Sequence, residues 1–167
     1  MRYSEIISDC SSNAPYLHRP RKIHFEGPKI LVPQRSKANT FAYNSIPWYA
    51  SVDVYFITDK SNNEANLKAN LAILNSKLYY LWFYHEGKRK GESLELYQKP
   101  LSETPMPSLN PEEKKALVSI VDKILASKQR SAKADISALE KEIDLIVYRL
   151  FGLTSAEIAL VESSAKS

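Results

Sequence analysis

Glycine, cysteine and histidine are scarce in this chain, and each shortage removes a class of chemistry. Four glycines in 167 residues leave no glycine-rich phosphate loop. The single cysteine, Cys10, cannot close an internal disulfide, and a lone cysteine does not suggest a structural zinc site. That usage suits a reducing compartment, so a cytoplasmic location is expected. His18, His24 and His85 lack metal-ligand spacing, and no His-Glu-x-x-His occurs. Ser, His and Asp are present without a nucleophile-elbow sequence. Glu92 and Glu95 sit beside a basic stretch and read as solvated strand-edge charges rather than paired catalytic carboxylates. Long apolar runs are missing as well. The longest run of apolar and aromatic residues is Leu78 to Tyr84, far short of the roughly 20 residues that span a bilayer. Met1-Arg2-Tyr3-Ser4-Glu5 lacks the apolar core of a signal peptide. No membrane, metal or cofactor is expected here, and no catalytic activity.

What is present is positive charge and aromatic surface, unevenly placed. The formal net charge is +4. Residues 1–110 hold 14 Lys and Arg against 10 Asp and Glu, whereas residues 111–167 hold 9 of each. Nine of the ten tyrosines precede residue 100. A polyanion contact is therefore expected on the front part of the chain.

The local patterns predict an α+β fold. Residues 1–21 read as an irregular arm or linker, 22–110 as an α+β unit and 111–167 as a helical appendage. Short strands are expected at Lys22–Phe25, Lys29–Pro33, Thr40–Tyr43, Val52–Thr58 and Ser93–Gln98, with a polar basic loop over Gln34–Asn39. Leu67, Leu71, Leu74, Leu78 and Leu81 recur at spacings of four and three. They predict one long helix ending near Glu86-Gly87, with the glycine in the left-handed closing conformation. Pro100, Pro105 and Pro107 predict an extended exit. Asn110-Pro111-Glu112-Glu113 marks a helix start, and Gly152 a helix end. Thr154-Ser155-Ala156-Glu157 fits a capping box. The expected architecture is a small antiparallel or mixed sheet packed on the long helix, then an antiparallel helical pair and a short tail helix.

Three basic clusters lie in the front part. Lys88, Arg89 and Lys90 sit between Gly87 and Gly91 and suit phosphates or a second reading loop. Arg35, Lys37 and Asn39 combine residue types that read bases, arginine for guanine and asparagine for adenine. Arg19, Arg21 and Lys22 form the third cluster, with Lys99 a further phosphate candidate. In the run Tyr79–Tyr84 some rings must pack inward; Tyr97, beside Lys99, is the better contact candidate. The apolar stripes Leu117–Leu125 and Ile136–Leu150 pack on each other or dock a neighbouring domain.

Four segments together resemble a known family. They are Pro28-Lys29-Ile30-Leu31-Val32-Pro33-Gln34-Arg35, Leu74-Asn75-Ser76-Lys77-Leu78, Lys99-Pro100-Leu101-Ser102-Glu103-Thr104-Pro105-Met106-Pro107, and Glu142 through Thr154. In this order they are similar to the TaqI-like C-terminal specificity domain of adenine-specific DNA methyltransferases from bacterial restriction-modification systems, some of them fused to an endonuclease. The resemblance spans roughly residues 28–160. It implies a target-recognition domain that binds double-stranded DNA and positions a separate catalytic domain, in cis or in trans. S-adenosylmethionine is then expected in that other domain, which methylates a flipped adenine. The catalytic Asn-Pro-Pro-Tyr motif is absent; Asn110-Pro111-Glu112 looks like it only superficially. A protein-docking module built on the C-terminal helices and an RNA-binding domain are the alternatives.

Overall fold

The computed structural model describes residues 23–50 and 53–164. Elements run in the order α1 (Ile23–Glu26), β1 (Lys29–Pro33), β2 (Arg35–Ser36), β3 (Ala42–Asn44), β4 (Val54–Ile57), α2 (Glu64–Leu74), α3 (Lys77–Glu86), β5 (Lys88–Lys90), β6 (Ser93–Glu95), α4 (Gln98–Ser102), α5 (Pro111–Arg130), α6 (Ser137–Leu150) and α7 (Ser155–Ser164). The fold is α+β, with two small antiparallel sheets in place of one. The first has the order β3-β1-β4 and the second β2-β6-β5.

Strand β1 is central because its alternation gives it a fully apolar face. Ile30 and Val32 are completely buried and turn toward the helices. It pairs Ile30 with Tyr43 and with Ile57, and Val32 with Tyr55. The opposite face carries Lys29, also fully buried. Its ammonium donates to the carbonyls of Phe25, Gly27 and Ile46 at 3.0, 3.0 and 2.8 Å. All three ammonium protons thus find acceptors, and burial lowers the lysine pKa. Gln34 couples the two sheets through its backbone. Its N–H donates to Asp53 O at 2.9 Å and its carbonyl accepts from Leu96 N at 2.8 Å.

Four local expectations need correction. The segment containing Phe25 is helical (α1) rather than a strand. The five-leucine helix is two helices. Asn75 closes α2, and Ser76 starts α3 by accepting from Tyr79 N. Leu67, Leu71 and Leu74 are buried on α2, but on α3 the core face is carried by Tyr79 and Phe83, with Leu78 and Leu81 only partly buried. Gly87 has φ −80°, not a left-handed value. Its small size matters instead, because a Cβ there would lie 2.4 Å from the Phe83 carbonyl oxygen. The proline-marked exit opens with the short helix α4, whose first turn holds Pro100, where the missing N–H is not needed.

The back of the chain follows its local signals. Asn110 and Glu113 form a reciprocal capping box at the start of α5. Gly152 has φ +64° just after α6. Thr154 and Glu157 cap α7 reciprocally. Helices α5 and α6 form the expected pair, yet their stripes do not face outward. Leu117, Ile120, Val121, Ile143, Ile146 and Val147 belong to the same hydrophobic cluster as Ile30, Val32, Phe41, Leu67, Phe83 and Leu94. They are spent inside this fold, whereas Ile124, Leu125, Ile136, Leu139 and Leu150 of the same stripes stay partly exposed.

A polar clip joins the tail helix to the rest. Asp144, 3% exposed, accepts from Lys77 N at the start of α3 at 2.8 Å. The Lys77 ammonium meets Glu162 at 2.5 Å, and the Tyr148 hydroxyl donates to Glu162 at 2.9 Å. Burial raises the Asp144 pKa, against the pull of the Lys77 N–H and ammonium. A carboxyl whose pKa is raised on folding binds its proton more tightly in the native state, so it contributes more stability as pH falls through that pKa. The stability of the wild type relative to Asp144→Asn is therefore expected to rise as pH is lowered through the carboxylate range. Urea titrations of both proteins across that range check the sign; a wild-type advantage that shrinks toward acid contradicts it.

Candidate nucleic-acid interface

The second sheet brings together residues 60 positions apart. Strand β6 lies in its middle, pairing Glu95 with Arg35 on one side and with Lys88 on the other. Paired residues of an antiparallel sheet project from the same face. Arg35, Glu95 and Lys88 therefore share one rung, and Lys90, opposite Ser93, stands one pleat further along that face. The other face carries Leu94, which is 1% exposed and packs into the core. The Lys88–Lys90 segment is thus an edge strand, not a loop, and the Arg35–Ser36 part of the expected loop is a strand too. Gly91, at φ +62°, opens the two-residue turn between Lys90 and Ser93, as tight hairpins require.

The basic triad divides between the two faces. Lys88 and Lys90 project from the solvent face, and Arg89 projects from the helix side. The Arg89 guanidinium lies 4.1 Å from the centre of the Tyr84 ring, a cation–π contact that pins the hairpin to α3.

Arg35 is held on two sides. Its Nε donates to Glu95 Oε1 at 3.2 Å and its Nη2 to the Tyr97 hydroxyl at 3.1 Å. The Tyr97 hydroxyl also lies 3.4 Å from the same Glu95 oxygen. The arginine side chain is 53% exposed and the glutamate 13%. The Tyr97 hydrogen bond, aided by Glu95, raises the guanidinium pKa above its ordinary value. Lys37 is exposed just beyond β2. Lys99 is exposed on α4, 3.9 Å from Glu103.

Asn39 departs from its expected role as a base reader. It is 7% exposed, and its amide donates to Leu74 O and Ser76 O at 2.6 and 3.0 Å. Both carbonyls flank the break between α2 and α3. Asn75 answers from the other side: its Oδ1 accepts from Phe41 N at 2.8 Å and its Nδ2 donates to Phe41 O at 3.0 Å. The Asn75-Ser76 break is a clamp that holds the 39–41 segment and so anchors the connection from β2 to β3. The Asn-Ser pair inside the leucine period was the one sequence signal for it. Removing the Asn75 amide strands the carbonyl of Phe41, itself 6% exposed, and leaves its N–H only the longer bond to Asn39 O at 3.2 Å. Asn75→Ala is expected to cost about 1–3 kcal/mol, the range for one orphaned buried group. Urea unfolding measures this, and a loss under ~0.5 kcal/mol removes the clamp from the account.

Arg19, Arg21 and Lys22 lie outside the described residues. Among the described residues no group of three or more His, Cys, Asp or Glu gathers to hold a metal. No described helix is long and apolar enough to cross a membrane.

Comparison with known proteins agrees with the family read from the motifs, but over a stretch that starts earlier than residue 28 and ends before the Glu142–Thr154 segment. Residues 2–106 match the profile of the TaqI-like C-terminal specificity domain. The type II methyltransferases M.HincII and M.HindII, both of Haemophilus influenzae, are each 31% identical to this chain over 125 residues. Each alignment covers 68% of this chain, and 25% and 24% of the two relatives. The chain thus spans about a quarter of the length of the curated relatives it matches.

Proposed function

This chain belongs to the TaqI-like C-terminal specificity domain family, a non-catalytic module, and on that premise we propose that it reads double-stranded DNA for an adenine-specific methyltransferase. The catalytic partner, in cis or in trans, supplies the S-adenosylmethionine site and the chemistry on the flipped base. Residues 22–110 carry the reading surface in this account.

One observation carries the reading. Two basic segments distant in sequence meet on the solvent face of a single small sheet, Arg35 through β2 and Lys88 and Lys90 through β5. The major groove of a duplex admits a β-ribbon of this kind, and its flanking phosphates suit the projecting lysines. Lys37 and Lys99 extend the positive surface. Arg19, Arg21 and Lys22 remain phosphate candidates on sequence alone. Tyr97 serves Arg35 rather than stacking on a base.

Binding of duplex DNA, single-stranded DNA and RNA, followed by fluorescence anisotropy at several salt concentrations, tests the proposal. The expected result is preference for the duplex and a steep linear fall of log affinity with log salt. Equal or tighter binding to RNA contradicts it.

A further inference from the structure

Resting on the DNA reading above, we infer that Arg35 reads a guanine of a G·C pair, with Glu95 and Tyr97 as positioning residues that set specificity rather than affinity. The argument starts from the guanidinium inventory. Arg35 has five N–H donors, and the bonds to Glu95 Oε1 and Tyr97 Oη employ its Nε proton and one Nη2 proton. The Nη1 pair and the second Nη2 proton form an edge able to span two acceptors. Guanine presents such a pair, O6 and N7, in the major groove.

The carboxylate is the telling partner. On a face built only to grip phosphates, Glu95 would be a liability, because it cancels one positive charge and repels the backbone. Yet it stands on the central strand, 13% exposed, between Arg35 and Lys88. What it supplies is orientation. It holds the fork in one rotamer, so less side-chain entropy is lost when a base is met. The Tyr97 hydroxyl fixes the same fork from its other arm. Lysine cannot substitute here, since it offers a point charge without a planar fork.

The test is selection of the 167-residue chain on a randomised duplex library, followed by competition titrations on the recovered sequence and its single-pair variants. The wild type is expected to recover a site containing a G·C pair. Arg35→Ala and Arg35→Lys are expected to lose on the order of 10–100-fold discrimination at that pair and to keep the other preferences. Glu95→Gln is expected to bind random duplex as tightly as wild type or tighter, while discriminating less at the same pair. Tyr97→Phe is expected to lower discrimination with little change in random-duplex affinity. A role in folding alone would weaken both quantities together. If Arg35→Ala weakens binding to every sequence equally and leaves the preferences intact, Arg35 is a phosphate contact and the inference is overturned. If the glutamine variant weakens random binding and discrimination in parallel, the positioning role of Glu95 is overturned. If the wild type enriches no duplex at all, the DNA reading itself fails and takes this inference with it.

Discussion

Replacing Lys88 and Lys90 together with alanine is expected to weaken duplex binding on the order of 30-fold near 0.15 M salt and to flatten the salt dependence by about two units of log–log slope. The size follows from counterion release, since each phosphate contact contributes about 0.9 to the slope. Extrapolated from roughly 0.15 M to 1 M salt, two such contacts amount to about 1.5 decades. Both side chains are fully available for this, being exposed on the edge strand β5. Arg89→Ala should behave differently. Its guanidinium lies over Tyr84, so the change should leave the slope nearly intact while loosening the hairpin. Three single variants and the double, titrated at four salt concentrations, separate these outcomes. If Arg89 moves the slope as much as either lysine, the division of the triad between two faces is wrong. If the double variant leaves both slope and affinity unchanged, this sheet is not where the duplex lies.

Leu117→Ala is expected to lower stability by about 2–5 kcal/mol, the range for deleting a buried leucine in a core that cannot collapse around the cavity. For a chain of this size that is a fall in melting temperature of roughly 2–4 °C per kcal/mol. Leu117 is fully buried on α5, yet it belongs to the cluster that includes Ile30, Val32 and Phe41. The change should therefore destabilise the sheets as much as the helical pair. Two probes report the parts separately. Both tryptophans, Trp48 and Trp82, lie in the front part, so fluorescence follows it, whereas far-ultraviolet circular dichroism follows mainly the helices. Coincident midpoints in the variant are expected, as for a single cooperative unit. A helical transition that precedes the tryptophan transition would divide the chain into two independently stable parts.

Elements whose determinants lie within a few residues were legible without the fold. The capping boxes at Asn110–Glu113 and Thr154–Glu157 form between neighbours, so their residue types announce them. Gly152 takes its positive φ where the periodic stripe ends. Strand β1 was visible because Ile30 and Val32 carry its apolar face by themselves. The same locality explains the errors. Lysine and arginine have little strand preference, so Lys88–Lys90 read as a loop until β6 supplied the pairing. Asn39 has the residue type of an adenine reader, and only its burial against the α2–α3 break shows that its amide is already committed.

What the sequence by itself determined is the kind of molecule. Scarce glycine, cysteine and histidine removed the familiar catalytic and metal sites, and the basic, aromatic front part together with four ordered motifs pointed to a specificity domain. What tertiary structure alone decided is which side chains meet on the second sheet. Arg35 lies 60 and 62 positions from Glu95 and Tyr97, and nothing local brings that carboxylate and hydroxyl to its guanidinium. That meeting depends on the register of β2 on β6, and the chain leaving β2 is anchored by the bonds of Asn75 to the backbone of Phe41. A long-range pairing is set by packing, which composition and periodicity do not encode one residue at a time.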